Sequence, residues 1–239
     1  MKIDNSAAAA LHAPMTPVLE AILGTLPVPE GLLTDVGCGA GHKTALIRST
    51  LNFAGPIVGI DCDRKALSAA ARGGMWAIAG DAHMLPLRTA CCDAAVCLAT
   101  LGMLHDQRAA LCELRRVVRL GGWLVIVTAT TAWTFWSVRL RDWIQTVIAE
   151  RERRGVDLLL TTPEPAADLA ALLRDAGWRE VRAGAFVIET GNEMSQRVLP
   201  LISQNDTRQL TQAEVREYDA LVADADVELL PLMLVATGR

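Results

Sequence analysis

The chain has 239 residues, 51% of them hydrophobic, enough to fill a continuous core and too many for a disordered tail or a disulfide-stapled mini-protein. Its 23 basic and 27 acidic residues leave a formal charge of −4 with no long block of either sign, which argues against an electrostatic nucleic-acid binder. The start, Met1–Leu11, has one lysine and a short alanine run. It lacks the basic opening and long apolar stretch of a secretion signal, so a cytoplasmic protein is expected. The most apolar window, Trp123–Trp136, is too short to cross a hydrocarbon layer roughly 30 Å thick, so no membrane partner is expected either. Six cysteines, at 38, 62, 91, 92, 97 and 112, show neither paired CxxC spacing nor a surrounding histidine pattern. Reduced thiols are expected, with no metal site and no disulfide framework.

Between residues 32 and 187 short apolar runs alternate with helix-like stretches, the pattern of a parallel sheet with crossover helices. The expected class is α/β. Leu32–Val36 reads as a first strand running into Gly37, Gly39 and Gly41, and His42 to Leu51 as the first helix. Ile57–Ile60 is the second strand, Arg64–Arg72 a helix, Met75–Ala79 a third strand ending at Gly80-Asp81, and Ala94–Ala99 the fourth. Asp106, standing before Leu111, Leu114, Val117 and Val118, suits an N-cap, and Gly121-Gly122 are expected to stop that helix. Trp123–Thr128 fits a central fifth strand. Ala166–Ala176 reads as a helix with Pro163 and Pro165 before it and Gly177 after it, followed by strands Val181–Ile188 and Leu229–Thr237. Two stretches fall outside the repeat: Thr131–Thr162, with a helix from about Trp133 to Arg154, and Gly191–Asp226, with a helix near Gln212–Val222. Insertions at loop positions usually carry what differs between relatives. One domain spanning 1–239 is expected, with lid elements at about 1–28, 131–163 and 191–226.

The segment Asp35-Val36-Gly37-Cys38-Gly39-Ala40-Gly41 places three glycines at alternate positions between a strand and a helix. Lacking Cβ, glycine adopts positive φ and lets a ligand approach the backbone, which is how nucleoside cofactors seat at the carboxyl edge of such sheets. Asp61 closes the second strand 20 residues after Gly41, where a carboxylate accepts ribose hydroxyl hydrogens. Asp81 closes the third strand, where an acid meets the exocyclic amine of an adenine. Capping of the following helices would explain each acid separately, but not their joint occurrence with the loop.

These segments resemble the class I S-adenosylmethionine-dependent methyltransferases, in particular the ubiquinone/menaquinone-type and small-molecule group. Asp35-Val-Gly-Cys-Gly-Ala-Gly41 is similar to the family's first motif, Val58-Gly-Ile-Asp61 to its ribose-binding acid, and Gly80-Asp-Ala-His-Met-Leu-Pro-Leu87 to its adenine-binding segment. Asp93–Leu98 and Leu114–Ile126 resemble its fourth-strand and fifth-strand motifs. The resemblance covers about residues 30–130. It implies a Rossmann-like, mostly parallel seven-stranded sheet flanked by helices, with helical lid insertions. It implies S-adenosyl-L-methionine as cofactor and S-adenosyl-L-homocysteine as product. Gly37, Cys38 and Gly39 would contact the methionine part, with Asp35 near its ammonium and Thr44 close to the ligand. Asp61 would take the ribose, Asp81 and Ala82 the adenine, Cys62 would pack on the adenine, and Leu98 and Ala99 would pass the sulfonium side.

A nicotinamide dehydrogenase shares the strand, loop and ribose acid but uses GxGxxG spacing, whose third glycine would fall at His42, and Asp35 would repel a pyrophosphate. Methyl transfer is a direct displacement, so the protein has to align the reactants and exclude water, and needs a base only if the acceptor must lose a proton. His105, after the fourth strand, is the candidate base; a histidine that settles the loop before Asp106 is the other reading. His42 and His83 read as surface residues or supports behind the site. Trp133 and Trp136 fit an acceptor-binding wall or a helix face packed on the sheet, and Tyr218 an acceptor contact or one side of an amphipathic helix. The expected partner is a small-molecule acceptor, with no nucleic acid. A protein that keeps the cofactor without transferring its methyl, such as a cyclase, regulator or partner subunit, remains the reading from a different class.

Overall fold

The computed structural model describes residues 16–72, 75–129, 134–135, 142–143, 146, 149–150, 153, 166–187, 211–222, 229–230 and 232–239. The chain divides into two compact units, one of 16–131, 159–186 and 233–239, the other of 1–15, 132–158 and 187–232.

The first unit is a seven-stranded sheet. Helix α1 (Thr16–Leu23) leads into β1 (Leu33–Val36), α2 (His42–Thr50), β2 (Ile57–Asp61), α3 (Arg64–Arg72), β3 (Trp76–Ala79) and β4 (Cys92–Leu98). Then come a short 3-10 turn (Leu101–Met103), α4 (Gln107–Val117) and β5 (Val118–Ala129). The pattern closes with α5 (Ala166–Asp175), β7 (Arg182–Val187) and β9 (Leu232–Gly238). The strand order is β3-β2-β1-β4-β5-β9-β7. Strands β1 to β5 pair in parallel, and β9 runs antiparallel to β5. All four residues of β1 are buried, as befits a parallel strand covered on both faces. Its one hydroxyl, Thr34 Oγ1, is satisfied by the Val58 carbonyl at 3.1 Å.

The core is aliphatic: Val36, Ile60, Leu124 and Ile126 from the sheet meet Leu111, Leu114, Leu169 and Leu173 from α4 and α5. Arg115 and Arg116 fill the last turn of α4, the end where the helix dipole favours cations. Asp106 caps its first turn, its carboxylate accepting the Ala109 N–H at 2.9 Å.

Three expectations are corrected. Helix α4 ends at Val117 rather than at Gly121-Gly122, and Val118 is already extended and paired with Cys92. Two successive β-branched residues favour the strand. The glycines serve an irregularity in it: the register shifts between Cys92 and Ala94, and a Cβ on Gly122 would lie 2.5 Å from the Asp93 carbonyl oxygen. Thr134–Phe135, expected within a helix, form strand β6, antiparallel to β8 (Leu229–Leu230) in the second unit. The final expected strand is accordingly two elements, β8 and β9, with the amide-less Pro231 between them. The other described elements of the second unit include α6 (Gln212–Val222). Trp133, Trp136 and most of the expected lid segments lie outside the described residues. Among the described residues no helix is long and apolar enough to cross a membrane.

Candidate functional site

Parallel pairing brings the carboxyl ends of β1, β2, β3 and β4 to one edge. The glycines of the loop after β1 do different work. Gly37 has φ +78° and packs so closely that a Cβ would fall 2.1 Å from Thr100 Oγ1. Gly39, at φ +53°, faces open space, since a Cβ there would meet nothing within 4 Å. Gly41, at φ +87°, turns the chain into α2.

Asp35 is completely buried. Thr44 Oγ1 donates to its Oδ2 at 2.5 Å, whereas Oδ1 has no hydrogen-bond partner among the described residues. Burial pushes its carboxyl above the usual range, against the opposing effects of Lys43 and the Thr44 hydrogen bond. Lys43 is 7% exposed, and its ammonium donates to the Leu98 carbonyl where β4 ends. Burial pulls its pKa down while Asp35 acts the other way. No motif in the sequence singles out Lys43, although 43, 44 and 47 share the buried face of α2. Cys38 is buried, with its thiol pKa raised by that burial.

Asp61 is half-buried and ties the loop to β2: its Oδ2 accepts the Gly39 N–H at 2.8 Å and its Oδ1 the Asp63 N–H at 2.8 Å. A carboxylate has about four lone-pair sites, so one backbone donor on each oxygen leaves room for further donors. The neighbouring Cys62 is exposed.

Past β3, Asp81 is exposed, and its Oδ1 accepts both the His83 N–H at 2.9 Å and a hydrogen bond with His83 Nδ1 at 2.6 Å. These bonds hold its carboxyl below the usual range. The His83 side chain is only 15% exposed, with Nε2 accepting the Asp106 N–H at 3.4 Å and its ring centroid 4.0 Å from that of His105. His105 itself is exposed, and Ala82 half-buried. Leu98 is buried, and Ala99 takes φ +54°, held by its N–H to the Val127 carbonyl at 2.6 Å.

The structure thus groups the expected residues in two sets. Asp35, Gly37, Cys38, Gly39, Thr44 and Asp61 are linked around the loop, with Lys43 joining them to Leu98; Asp81 and His105 are linked through His83. Tyr218 lies on α6, its side chain outside the described residues, and Trp133 and Trp136 are not described. Among the described residues no three His, Cys, Asp or Glu side chains are placed to hold a metal.

A sheet ordered 3-2-1-4-5-7-6 when its seven strands are counted along the chain, with a glycine loop after its first strand, defines the class I methyltransferase fold. Residues 34–126 match the family model for the methyltransferase domain. A geranyl diphosphate methyltransferase solved in complex with S-adenosylmethionine shares the fold, with TM-score 0.58 at 19% identity, covering 98% of this chain and 88% of that one. The chain is 28% identical over 166 residues to a demethylmenaquinone methyltransferase of Corynebacterium kroppenstedtii, covering 65% of this chain and 71% of that one. It is 34% identical over 114 residues to an O-methyltransferase of Pyrenophora dematioidea, covering 45% and 43% respectively. A crystal structure of a putative methyltransferase from an antibiotic biosynthesis pathway of Anabaena variabilis superposes with TM-score 0.67 at 15% identity, covering 92% of this chain and 96% of that one. The chain spans less than half the length of two of the curated relatives it matches.

Proposed function

We propose that this protein transfers the methyl group of S-adenosylmethionine to a small organic acceptor by direct displacement. The observation that carries the reading is the Asp35 carboxylate, one oxygen fixed by Thr44 and the other buried without a donor among the described residues, at the start of a loop in which the Cβ position of Gly39 is open. A buried unsatisfied acceptor is costly in a finished protein, and a cationic N–H donor on a ligand removes that cost. The cofactor's α-ammonium is such a donor.

Gly37, Cys38 and Gly39 then line the methionine part, Asp61 accepts from the ribose hydroxyls, and Asp81 with the Ala82 backbone accepts from the adenine edge, against which Cys62 packs. Leu98 and Ala99 pass the sulfonium side, their course fixed by Lys43 and by the Val127 carbonyl. When bound, the cofactor supplies a methyl carbon already attached to an excellent leaving group. The chain's own work is to orient and to exclude water. His105, exposed on the loop after β4, takes the acceptor's proton where the acceptor has one to lose.

Trp133, Trp136 and Tyr218 form the acceptor wall in this reading, with 131–163 and 191–226 as lid segments. The sequence pattern supports it: both stretches fall outside the strand–helix repeat, where insertions carry what differs between relatives. The lack of a basic stripe and the charge of −4 favour a small molecule over a nucleic acid, in keeping with the relatives named for demethylmenaquinone and O-methylation.

The test is a titration followed by a transfer assay. Calorimetry should show binding of S-adenosylhomocysteine and none of NADH, and label from methyl-labelled S-adenosylmethionine should reach at least one member of a broad acceptor panel. Tight cofactor binding with no label in any acceptor would select the non-transferring reading. NADH affinity without S-adenosylhomocysteine affinity would overturn both.

A further inference from the structure

A histidine two residues past the Asp81 carboxylate meets three residues from two segments. His83 engages Asp81 through its backbone N–H and its Nδ1, accepts the N–H of the α4 cap residue Asp106 on its Nε2, and lies against the His105 ring at an interplanar angle of 39°. Because Nε2 accepts a hydrogen bond, the neutral ring must carry its proton on Nδ1, the atom that faces Asp81; the hydrogen-bond network assigns the tautomer. Both His83 donors fall on the same carboxylate oxygen. Among the described residues Oδ2 accepts no hydrogen bond.

We propose that His83 is a positioning residue for adenine: it fixes the rotamer of the exposed Asp81 so that Oδ2 alone is presented to the exocyclic amine, and it joins that seat to the loop carrying His105. The proposal rests on reading Asp81 as the adenine acceptor. An unrestrained exposed carboxylate samples several rotamers and has to lose that freedom when the ligand arrives. His83 removes the freedom beforehand. It also makes the base loop sensitive to the adenine seat, since the ring that holds Asp81 is the ring that backs His105.

The two nitrogens of His83 separate in shorter amides. His83→Asn places its amide nitrogen near the Nδ1 position and keeps a donor for Asp81, while His83→Gln extends to the Nε2 position and does not. Binding is measured by calorimetry with S-adenosylhomocysteine and with its analogue bearing hydrogen in place of the adenine 6-amine. For the wild type, removing the amine should weaken binding about tenfold, the worth of one hydrogen bond to a charged acceptor. For His83→Ala and His83→Gln, S-adenosylhomocysteine itself should bind about tenfold more weakly and the amine should matter little. His83→Asn should recover most of the affinity.

A merely structural role would weaken both ligands equally and leave Asn no better than Ala, and either result overturns the proposal. So does an unchanged affinity for S-adenosylhomocysteine in His83→Ala. If the wild type binds the two ligands equally, Asp81 is not the adenine acceptor and the proposal falls with that assignment. If it binds neither, the cofactor reading fails first.

Discussion

The two ends of the site hold their acids in opposite physical states. Asp35, at the proposed methionine end, is fully buried, its carboxyl is pushed up by lost solvation, and one oxygen has no donor among the described residues. Asp81, at the proposed adenine end, is exposed, its carboxyl is pulled down by His83, and its geometry depends on a network of neighbours. Burial supplies strength at one end and costs stability in the free protein. At the other, order is supplied by hydrogen bonds that water can partly replace, so substitutions there should be milder.

The largest break is expected at Asp35. Asp35→Asn keeps the shape and an acceptor for Thr44 but removes the charge, and should weaken S-adenosylhomocysteine binding about 100-fold in calorimetry. Its stability effect should go the other way. Because the folded carboxyl holds its proton more tightly than the unfolded one, wild-type stability falls as pH rises from the ordinary carboxylate range through the raised value. The Asn variant should lack that fall, and its free-form melting temperature at neutral pH should not drop. A loss of stability parallel to the loss of binding would mean that burial of Asp35 serves the fold instead of the ligand.

The glycine loop gives an effect of intermediate size. Gly39→Ala puts a methyl group into open space at a positive φ, so it should cost about 1 kcal/mol of stability. The methyl group occupies ligand space, and affinity should fall about tenfold. Gly37→Ala instead drives a Cβ into Thr100 and should lower the melting temperature more than its neighbour does, by about 3 kcal/mol in stability. Equal stability losses at both positions would erase the distinction between a packing glycine and a ligand-facing one.

The smallest effect concerns the segment that follows Asp81. Glu113 accepts the Leu85 N–H at 2.7 Å and pairs with Arg116 at 2.6 and 2.7 Å, while Arg116 donates to the Leu85 and Leu87 carbonyls at 3.0 and 2.9 Å. The Arg116 hydrogen bond, helped by the Leu85 amide, holds the Glu113 carboxyl below its usual range. Its contribution is therefore present above the unfolded pKa and is lost as pH falls through the lower folded value. Glu113→Gln should cost about 1 kcal/mol in denaturant titrations at neutral pH, and the gap to wild type should narrow below about pH 4. A gap that persists at acid pH would point to packing rather than ionisation.

Much of this arrangement is legible in the chain because its signals are local. Alternate glycines after an apolar run, an acid 20 residues on and a second acid after Gly80 need no knowledge of tertiary contacts. Lys43 and the partners of His83 escape a reading of that kind for the same reason. Lysine is almost always solvated, and the Leu98 carbonyl, 55 residues away, together with the charge of Asp35 accounts for a buried ammonium at position 43. His83 looks like a loop residue until Asp106 is brought beside it from 23 positions further on. At the α4–β5 junction glycine punctuation misleads, because the strand has already begun at Val118 and the glycines accommodate its crossing over Asp93. The period of the surrounding aromatics predicts a helix at Thr134–Phe135, whereas pairing with Leu229–Leu230, a contact across nearly a hundred residues, decides their state.

The position of β9 between β5 and β7 sets the order in which the sheet can be assembled. On the ribosome, β1 to β5 and the helices between them emerge before either remaining strand, and they already contain the glycine loop, Asp61, Asp81 and His105. Strand β7 emerges next with no sheet partner to receive it, because the strand that will separate it from β5 has yet to be synthesised. The nascent protein can therefore shape the edge that carries the glycine loop early, and it completes its sheet only when β9 slots in antiparallel and gives β7 a place.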